Sequence, residues 1–389
     1  MKVFEIKHKD KKTKARIGIL HTKKGLIETP FFMPVATKTT VKFLSSQDLE
    51  EIGVPAVISN MFVLSFKPGK ELIEEFGGIG KFMNYSGINA TDSGGFQMYS
   101  PRCYISSDDS GVLFKNPFTQ EKHFMTPEEN MKLQIQMNSD IAMCLDSMPL
   151  LHNTKEEIKE SVRKTTLWAK RCKKEHDLLQ KKVKKEKRQL LFGITQGGIH
   201  ADLRKKSARD ILKIDFNGYS IGGLALGEEK EDEYAMIKLQ KKMMPENKPI
   251  YLMGAGHPTE ILEAIALGVD MFDSRYPTQN ARRGTILTSK GRLKLFNSKY
   301  EDDKKPLDEN CDCLACKNYS RAYLRYLIMH YEGNGLRLVS YHNIYYLTKL
   351  IEKAKEAIKK GKFLEFKKKV SREYEKADKK IKENSEKCQ

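Results

Sequence analysis

Leu190-Leu191-Phe192-Gly193-Ile194-Thr195-Gln196-Gly197-Gly198 shows a pattern that runs through the chain: a short apolar run closes on a polar residue and then on glycine. Similar runs span Phe31–Thr37, Val54–Asn60, Ile88–Asp92, Asp140–Asp146, Phe216–Gly223, Pro249–Gly254 and Gly268–Asp273, and with Leu190–Gln196 they number eight. Their Val, Ile, Leu and Phe content suits strands buried on both faces of a parallel sheet. Amphipathic stretches fall between several of them: Ser46–Ile52, Thr126–Asn138, Lys155–Gln180, His200–Leu212, Glu228–Met243 and Pro258–Leu267. Ser46 is the expected cap of the first. Thr126-Pro127-Glu128-Glu129 reads as a helix start, with a capping hydroxyl, proline in the first turn and early acids. Strands alternating with helices predict an α/β fold, a (β/α)8 TIM barrel. An open doubly wound sheet would be supported by a glycine-rich phosphate loop after its first strand, and the sequence has none.

The barrel is expected over residues 1–295, and a metal-binding subdomain with a basic C-terminal helical segment, 296–389, is expected to pack on it. The 389 residues carry 70 Lys and Arg against 51 acids, a net charge of +19, which suits a polyanionic partner such as nucleic acid. Residues 170–188 and 351–389 concentrate that charge. The first should carry a surface helix into a loop, and the second should form a charged terminal helix. Seven cysteines, an odd number, and a charged N-terminus, Met1 to Lys14, point to a reducing, cytoplasmic setting. No apolar run reaches the roughly 18 residues of a membrane span.

In such a barrel the active site forms at the C-terminal ends of the strands. Those ends present Asn60, Asp92, Asp146, Gln196, Gly222, Gly223, Gly254 and Asp273. Asp92 opens the stretch Asp92-Ser93-Gly94-Gly95-Phe96-Gln97. Its glycines permit a close backbone approach to a ligand, and Phe96 offers a stacking face to a planar base. Phe272 reads as core. Asp273 precedes a basic loop, 274–284, suited to phosphates. Two carboxylates at one site can divide the roles of nucleophile and general acid/base.

Cys311-Asp312-Cys313-Leu314-Ala315-Cys316 is a second strong feature. Three thiolates and one imidazole would close a tetrahedral, structural zinc site. His342 and His330 are both available as the fourth ligand.

These residues resemble the tRNA-guanine transglycosylases, or queuine tRNA-ribosyltransferases, of the bacterial anticodon type. The resemblance runs from about Ala15 to Phe366 through Thr91–Gln97, Gln196–Gly198, Tyr219–Glu228, Tyr251–Gly254, Met271–Asp273, Pro277–Thr278, Asn280–Arg282 and Cys311–Tyr323. It implies Asp273 as the nucleophile toward C1′ of a target guanosine and Asp92 as the general acid/base. Ser93, Gly94 and Gly95 would line the substrate site beside them. It also implies Asp146 on the N–H edge of the base, Gln196 and Gly223 on the O6 side, and Phe96 with Met253 as the sandwich. Gly254, Ala255, Gly256, His257, Pro258, Thr259 and Glu260 match one RNA-contacting loop, and Thr278, Gln279, Asn280, Ala281 and Arg282 match the other. The zinc ligands become Cys311, Cys313, Cys316 and His342, one ion per chain.

The implied partners are tRNA with a guanine at the wobble position, a 7-deazaguanine base and a second copy of the chain, with no membrane. Ser274-Arg275-Tyr276-Pro277-Thr278-Gln279 departs from the family's usual stretch by lacking its terminal arginine; Ser147-Met148 follow Asp146 where an acid and a cysteine are common, and Val63 stands where a histidine is frequent. These touch RNA and base preference rather than the reaction. Leu226 stands where glycine accompanies queuine, so the smaller 7-aminomethyl base is expected. An archaeal-type enzyme would usually carry further C-terminal RNA-binding domains, and this chain ends at residue 389. A non-catalytic RNA-binding subunit would tend to lack the carboxylates that Asp92 and Asp273 supply.

Overall fold

The fold is described from a computed structural model covering residues 2–150 and 152–386. All eight apolar runs contain strands of one parallel sheet. They are β1 Phe31–Pro34, β2 Ala56–Asn60, β3 Ile88–Asp92, β4 Ile141–Met143, β5 Leu190–Thr195, β6 Gly218–Ile221, β7 Ile250–Leu252 and β8 Met271–Ser274. Each strand pairs with its sequence neighbour from β2 to β8, and β8 pairs with β1. The ring closes between β1 and β2 through a Val35–Ile58 bridge and the Ala36 N–H to Ile58 carbonyl bond of 2.7 Å.

Period-two alternation separates the barrel interior from its helical coat. Phe31 and Met33, Ala56 and Ile58, Ile88 and Ala90, Ile141 and Met143, and Phe192 and Ile194 share the inner cluster. One more step of two along several strands leaves the hydrophobic interior and reaches the mouth. That step places Asn60, Asp92, Gln196, Met253 and Asp273 in phase with the interior. Asp146 enters differently, from irregular chain after β4 ends at Met143.

The opposite end is plugged by an antiparallel sheet of Phe4–Lys9, Arg16–Thr22 and Gly25–Thr29, whose Phe4, Leu20 and Ile27 join the inner cluster. Buried Arg16 clamps it to the barrel. Its guanidinium meets Asp270 at 2.9 and 2.5 Å and the carbonyls of Glu246 and Lys248 at 2.7 and 2.9 Å. Truncating one partner of such a pair costs ~3–5 kcal/mol.

Helix boundaries follow their caps. Ser45, not Ser46, caps Ser46–Ile52 in a reciprocal box with Asp48, while Ser46 donates to the Met83 carbonyl. Thr126 caps Pro127–Gln136 through the Glu129 N–H. Lys155–Leu179 gives way to a loop with a short turn at Lys185–Lys187. The terminal segment is two helices, Gly333–Lys359 and Phe363–Glu386, divided at Gly361 with φ +66°. Cys388 and the end of the basic segment lie outside the described residues. Sequence periodicity also passed over the N-terminal sheet, the Thr285–Thr288/Gly291–Lys294 hairpin, and a three-stranded sheet of Tyr104–Ser107, Val112–Lys115 and Lys122–Met125. Among the described residues no helix is long and apolar enough to cross a membrane.

Candidate active site and metal centre

The strand ends surround a cavity of about 400 Å³. Asp92, Ser93, Gly95, Phe96, Asp146, Gln196, Gly223, Met253, Gly254 and Asp273 line it. Gly94 does not line it. Its backbone, at φ +76°, donates to Asp92 Oδ1 at 3.1 Å, and the space a β-carbon would need is filled by Phe62.

Asn60 and Asp92 are register partners on adjacent strands, so Asn60 Nδ2 meets Asp92 Oδ2 at 3.0 Å. Burial lifts the Asp92 carboxyl to about 7, and the nearby Asp273 charge adds to that rise. Asp273 is raised by burial against the donors that hold it. Both donors meet one oxygen: Tyr251 O–H at 2.5 Å and Gly254 N–H at 2.9 Å reach Oδ1. Among the described residues, Oδ2 accepts no hydrogen bond.

Asp146 follows β4, which pairs with β3, the strand that ends in Asp92. Gln196 Nε2 donates to Asp146 at 2.6 Å and the Ser93 hydroxyl at 3.3 Å, while burial lifts the Asp146 carboxyl to about 6. Gln196 Oε1 is buried without a partner among the described residues. It lies 2.3 Å from where a β-carbon on Gly223 would stand, and Gly223 has φ +64°. The turns carrying Gly198, Gly222 and Gly223 are held from beneath by fully buried Arg204, which donates to their three carbonyls at 2.7, 2.7 and 2.9 Å. Burial lowers the Arg204 pKa to about 9, so the cation persists at neutral pH.

Arg204 and two polar residues of helix Pro127–Gln136 escaped the sequence reading. Asn130 and Gln134, one turn apart and fully buried, bind the Ser93 and Met143 carbonyls at 2.8 and 2.7 Å. They join the ends of β3 and β4, and so set Asp92 against Asp146. Tyr251 was visible only as part of a longer run.

The two loops proposed for RNA differ in exposure. Ala255, Gly256, Pro258 and Glu260 are buried, and Glu260 binds the Gly256 and His257 N–H groups at 3.2 Å and Lys230 at 2.6 Å. Thr278 and Ala281 also point inward, whereas His257, Thr259, Gln279, Asn280 and Arg282 keep partial exposure. Phe272 is buried, and Phe96 is 50% exposed at the mouth.

The chain matches the family model described as Queuine tRNA-ribosyltransferase over residues 10–376. The chain belongs to this family. Proteins named Queuine tRNA-ribosyltransferase from Lysinibacillus sphaericus and Thermoanaerobacter sp. are 44% and 45% identical to it over 371 residues, covering 95% of this chain and 96% and 97% of theirs. One from Fusobacterium nucleatum is 46% identical, covering 95% of this chain and 98% of its own.

This family member also gathers a Cys3His cluster that could hold a metal ion. The donor atoms of Cys311, Cys313, Cys316 and His342 all lie within 4.8 Å of one another. His342 Nε2 lies 2.8 Å from the Leu287 carbonyl, which can only accept. Nε2 is therefore the donor to that carbonyl, and Nδ1 lies 3.7, 3.4 and 3.3 Å from the three sulfurs in sequence order. Such spacings suit a tetrahedral ion with ligands about 2.0–2.3 Å from its centre. His330 caps the end of Arg321–Met329 and packs at a tilt against the Tyr326 ring, outside the cluster.

Proposed function

We propose that this transglycosylase exchanges guanine at the tRNA wobble position for a 7-deazaguanine through a covalent intermediate on Asp273. The convergence of Asp273, Asp92, Asp146 and Gln196 on one cavity carries the reading. Asp273 Oδ2 attacks C1′ of the target nucleoside, forming an O–C1′ bond as the C1′–N9 bond breaks. The bond's electron pair leaves with the base. Tyr251 and Gly254 hold Oδ1, which fixes the carboxylate and leaves Oδ2 for attack. Asp92, protonated below about pH 7, gives its proton to the departing base and takes one from the incoming base. The reverse sequence then seats the new base on C1′. One N-glycosidic bond replaces another, so the exchange needs no external energy source.

Guanine presents N–H donors to Asp146, and Gln196 Nε2, released from Asp146, turns to O6 with the Gly223 backbone. Phe96 and Met253 cover the faces of the ring. Reaching the cavity requires the target base to leave its stack. The exposed parts of the 254–260 and 278–282 loops receive the RNA strand.

Leu226 lines both the main cavity and a smaller one of about 90 Å³ behind it. It narrows the space beside the 7-position and favours 7-aminomethyl-7-deazaguanine over queuine. Cys311, Cys313, Cys316 and His342 hold one structural zinc ion. The metal ties the 311–316 loop to helix Gly333–Lys359, and Asn343 on that helix binds the Leu287 N–H and the Pro277 and Thr285 carbonyls at 2.9, 2.9 and 3.1 Å. The exposed aromatic face of Tyr323 and Tyr326 beside the cluster suits a homodimer contact.

Incubation of the protein with labelled guanine and tRNA tests the reading. Label should enter tRNA, and a denaturant-resistant RNA–protein band should form with wild type but not with Asp273→Ala. No incorporation by the intact protein would overturn it.

A further inference from the structure

Phe118 occupies the tip of the hairpin joining Val112–Lys115 to Lys122–Met125 and is 41% exposed. Its turn is rigid: Asn116 Oδ1 accepts from the N–H groups of Phe118 and Thr119 at 2.8 and 3.3 Å. Beneath the tip, Phe114 packs edge-on to Phe62 at 4.9 Å, and His123 packs on Phe66 at 5.0 Å. Phe62 in turn lies against Gly94 beside Asp92. The tip is thus fixed relative to the catalytic mouth.

Two ammonium groups gather on the exposed ring. Lys38 and Lys67 each place Nζ 5.8 Å from its centroid. Neither has a carboxylate partner among the described residues. Lys38 directly follows Thr37, which lines the cavity, so the ring stands within one lysine side chain of the mouth. Below the tip, Lys115 and Lys122 are cross-strand partners, both exposed and both unpaired among the described residues. Like charges placed opposite each other oppose folding, and an anionic ligand removes that penalty. Glu121 is the hairpin tip's acid, and Thr119 binds it at 2.8 Å.

The loop that carries Lys38 continues to a second aromatic–cation group. Phe43 has Lys42 at 5.2 Å and Arg282 at 5.9 Å. The two groups, Arg282 and Lys42 at Phe43 and Lys38 and Lys67 at Phe118, are joined in the chain by residues 38–43.

We infer that Phe118 is a stacking platform for an unpaired nucleobase flanking the target guanosine, with Lys38 and Lys67 on the adjoining phosphates. This rests on the tRNA reading above. An exposed aromatic ring set among unpaired cations is the surface single-stranded RNA recognises, by stacking on the ring and by charge along the backbone. A base that takes one face of the ring displaces an ammonium, which then meets a phosphate.

The test uses the full chain, an anticodon stem–loop RNA, and versions of that RNA with an abasic residue at each loop position in turn. Phe118→Ala should weaken RNA binding and raise the RNA KM by ~10-fold, with kcat held, whereas Phe118→Trp should bind like wild type. The penalty should vanish for the one abasic RNA lacking the stacked base. Lys38→Gln and Lys67→Gln should each flatten the log–log salt dependence by about 0.7. Wild-type affinity in Phe118→Ala, or an equal penalty with every abasic RNA, would overturn the platform. Guanine exchange by wild type in the same assay separates that outcome from failure of the tRNA reading.

Discussion

Replacing Asp92 with asparagine should stabilise the protein at pH 8 and leave it no more stable at pH 4. In the folded chain, burial and the Asp273 charge lift the carboxyl from 3.8 to about 7. A group raised on folding contributes fully below its unfolded pKa. That contribution is lost as pH climbs toward the folded value, because the unfolded chain ionises first. A gap of about three pH units corresponds to about 4 kcal/mol of lost stability above pH 7. Asparagine does not ionise, so it avoids the loss.

The substitution has its own cost. Asn60 Nδ2 donates to Asp92 Oδ2 at 3.0 Å, and Asn60 Oδ1 is already bound to the Val63 N–H at 2.8 Å. An amide nitrogen facing Asn60 breaks that bond, worth ~1 kcal/mol. The expected net gain is about 2–3 kcal/mol at pH 8, turning to a loss of ~1 kcal/mol at pH 4. Denaturant unfolding of both proteins between pH 4 and 8 measures the difference, and turnover should be crippled in the variant. A stability difference that stays flat across this range would show that Asp92 titrates normally and would remove its claim to hold a proton at neutral pH.

Gly223→Ala forces a side chain into φ +64° and against Gln196 Oε1, so guanine affinity measured by calorimetry should fall by roughly 1–3 kcal/mol. Unchanged affinity would mean the turn lies outside the base site. Leu226→Gly should raise kcat/KM for queuine more than for the 7-aminomethyl base; equal use of both by wild type would refute the narrow-pocket reading. Elemental analysis should find about one zinc per chain, and Cys316→Ala should lower it along with the melting temperature. Full stability without metal would exclude a structural site.

Features set by neighbours in the chain were legible in the sequence. The eight strands were visible because a doubly buried strand needs a continuous apolar run. Their polar, cavity-lining ends were visible because the run stops where the barrel interior meets solvent. Cys311, Cys313 and Cys316 lie within six residues, so local spacing announces a metal cluster. The plug sheet and the 104–125 hairpins were not legible, since short, partly exposed strands alternate weakly and depend on partners for their register. The choice of Ser45 over Ser46 as cap turned on a single residue of backbone geometry.

By itself, the sequence determined which residue types stand at each strand end, the cluster of thiolates, and the excess of positive charge. Tertiary structure alone decided that Asn60 meets Asp92, that Tyr251 and Gly254 hold one oxygen of Asp273, and that Asn130 and Gln134 brace two strand ends from a helix. It also gathered Lys38 and Lys67 around Phe118. The reason is physical. Conformational preference and ligand type belong to a residue and its neighbours, whereas desolvation and hydrogen bonding depend on which distant segments meet. Asp273, 181 positions from Asp92 in sequence, burdens the Asp92 charge only once the barrel closes.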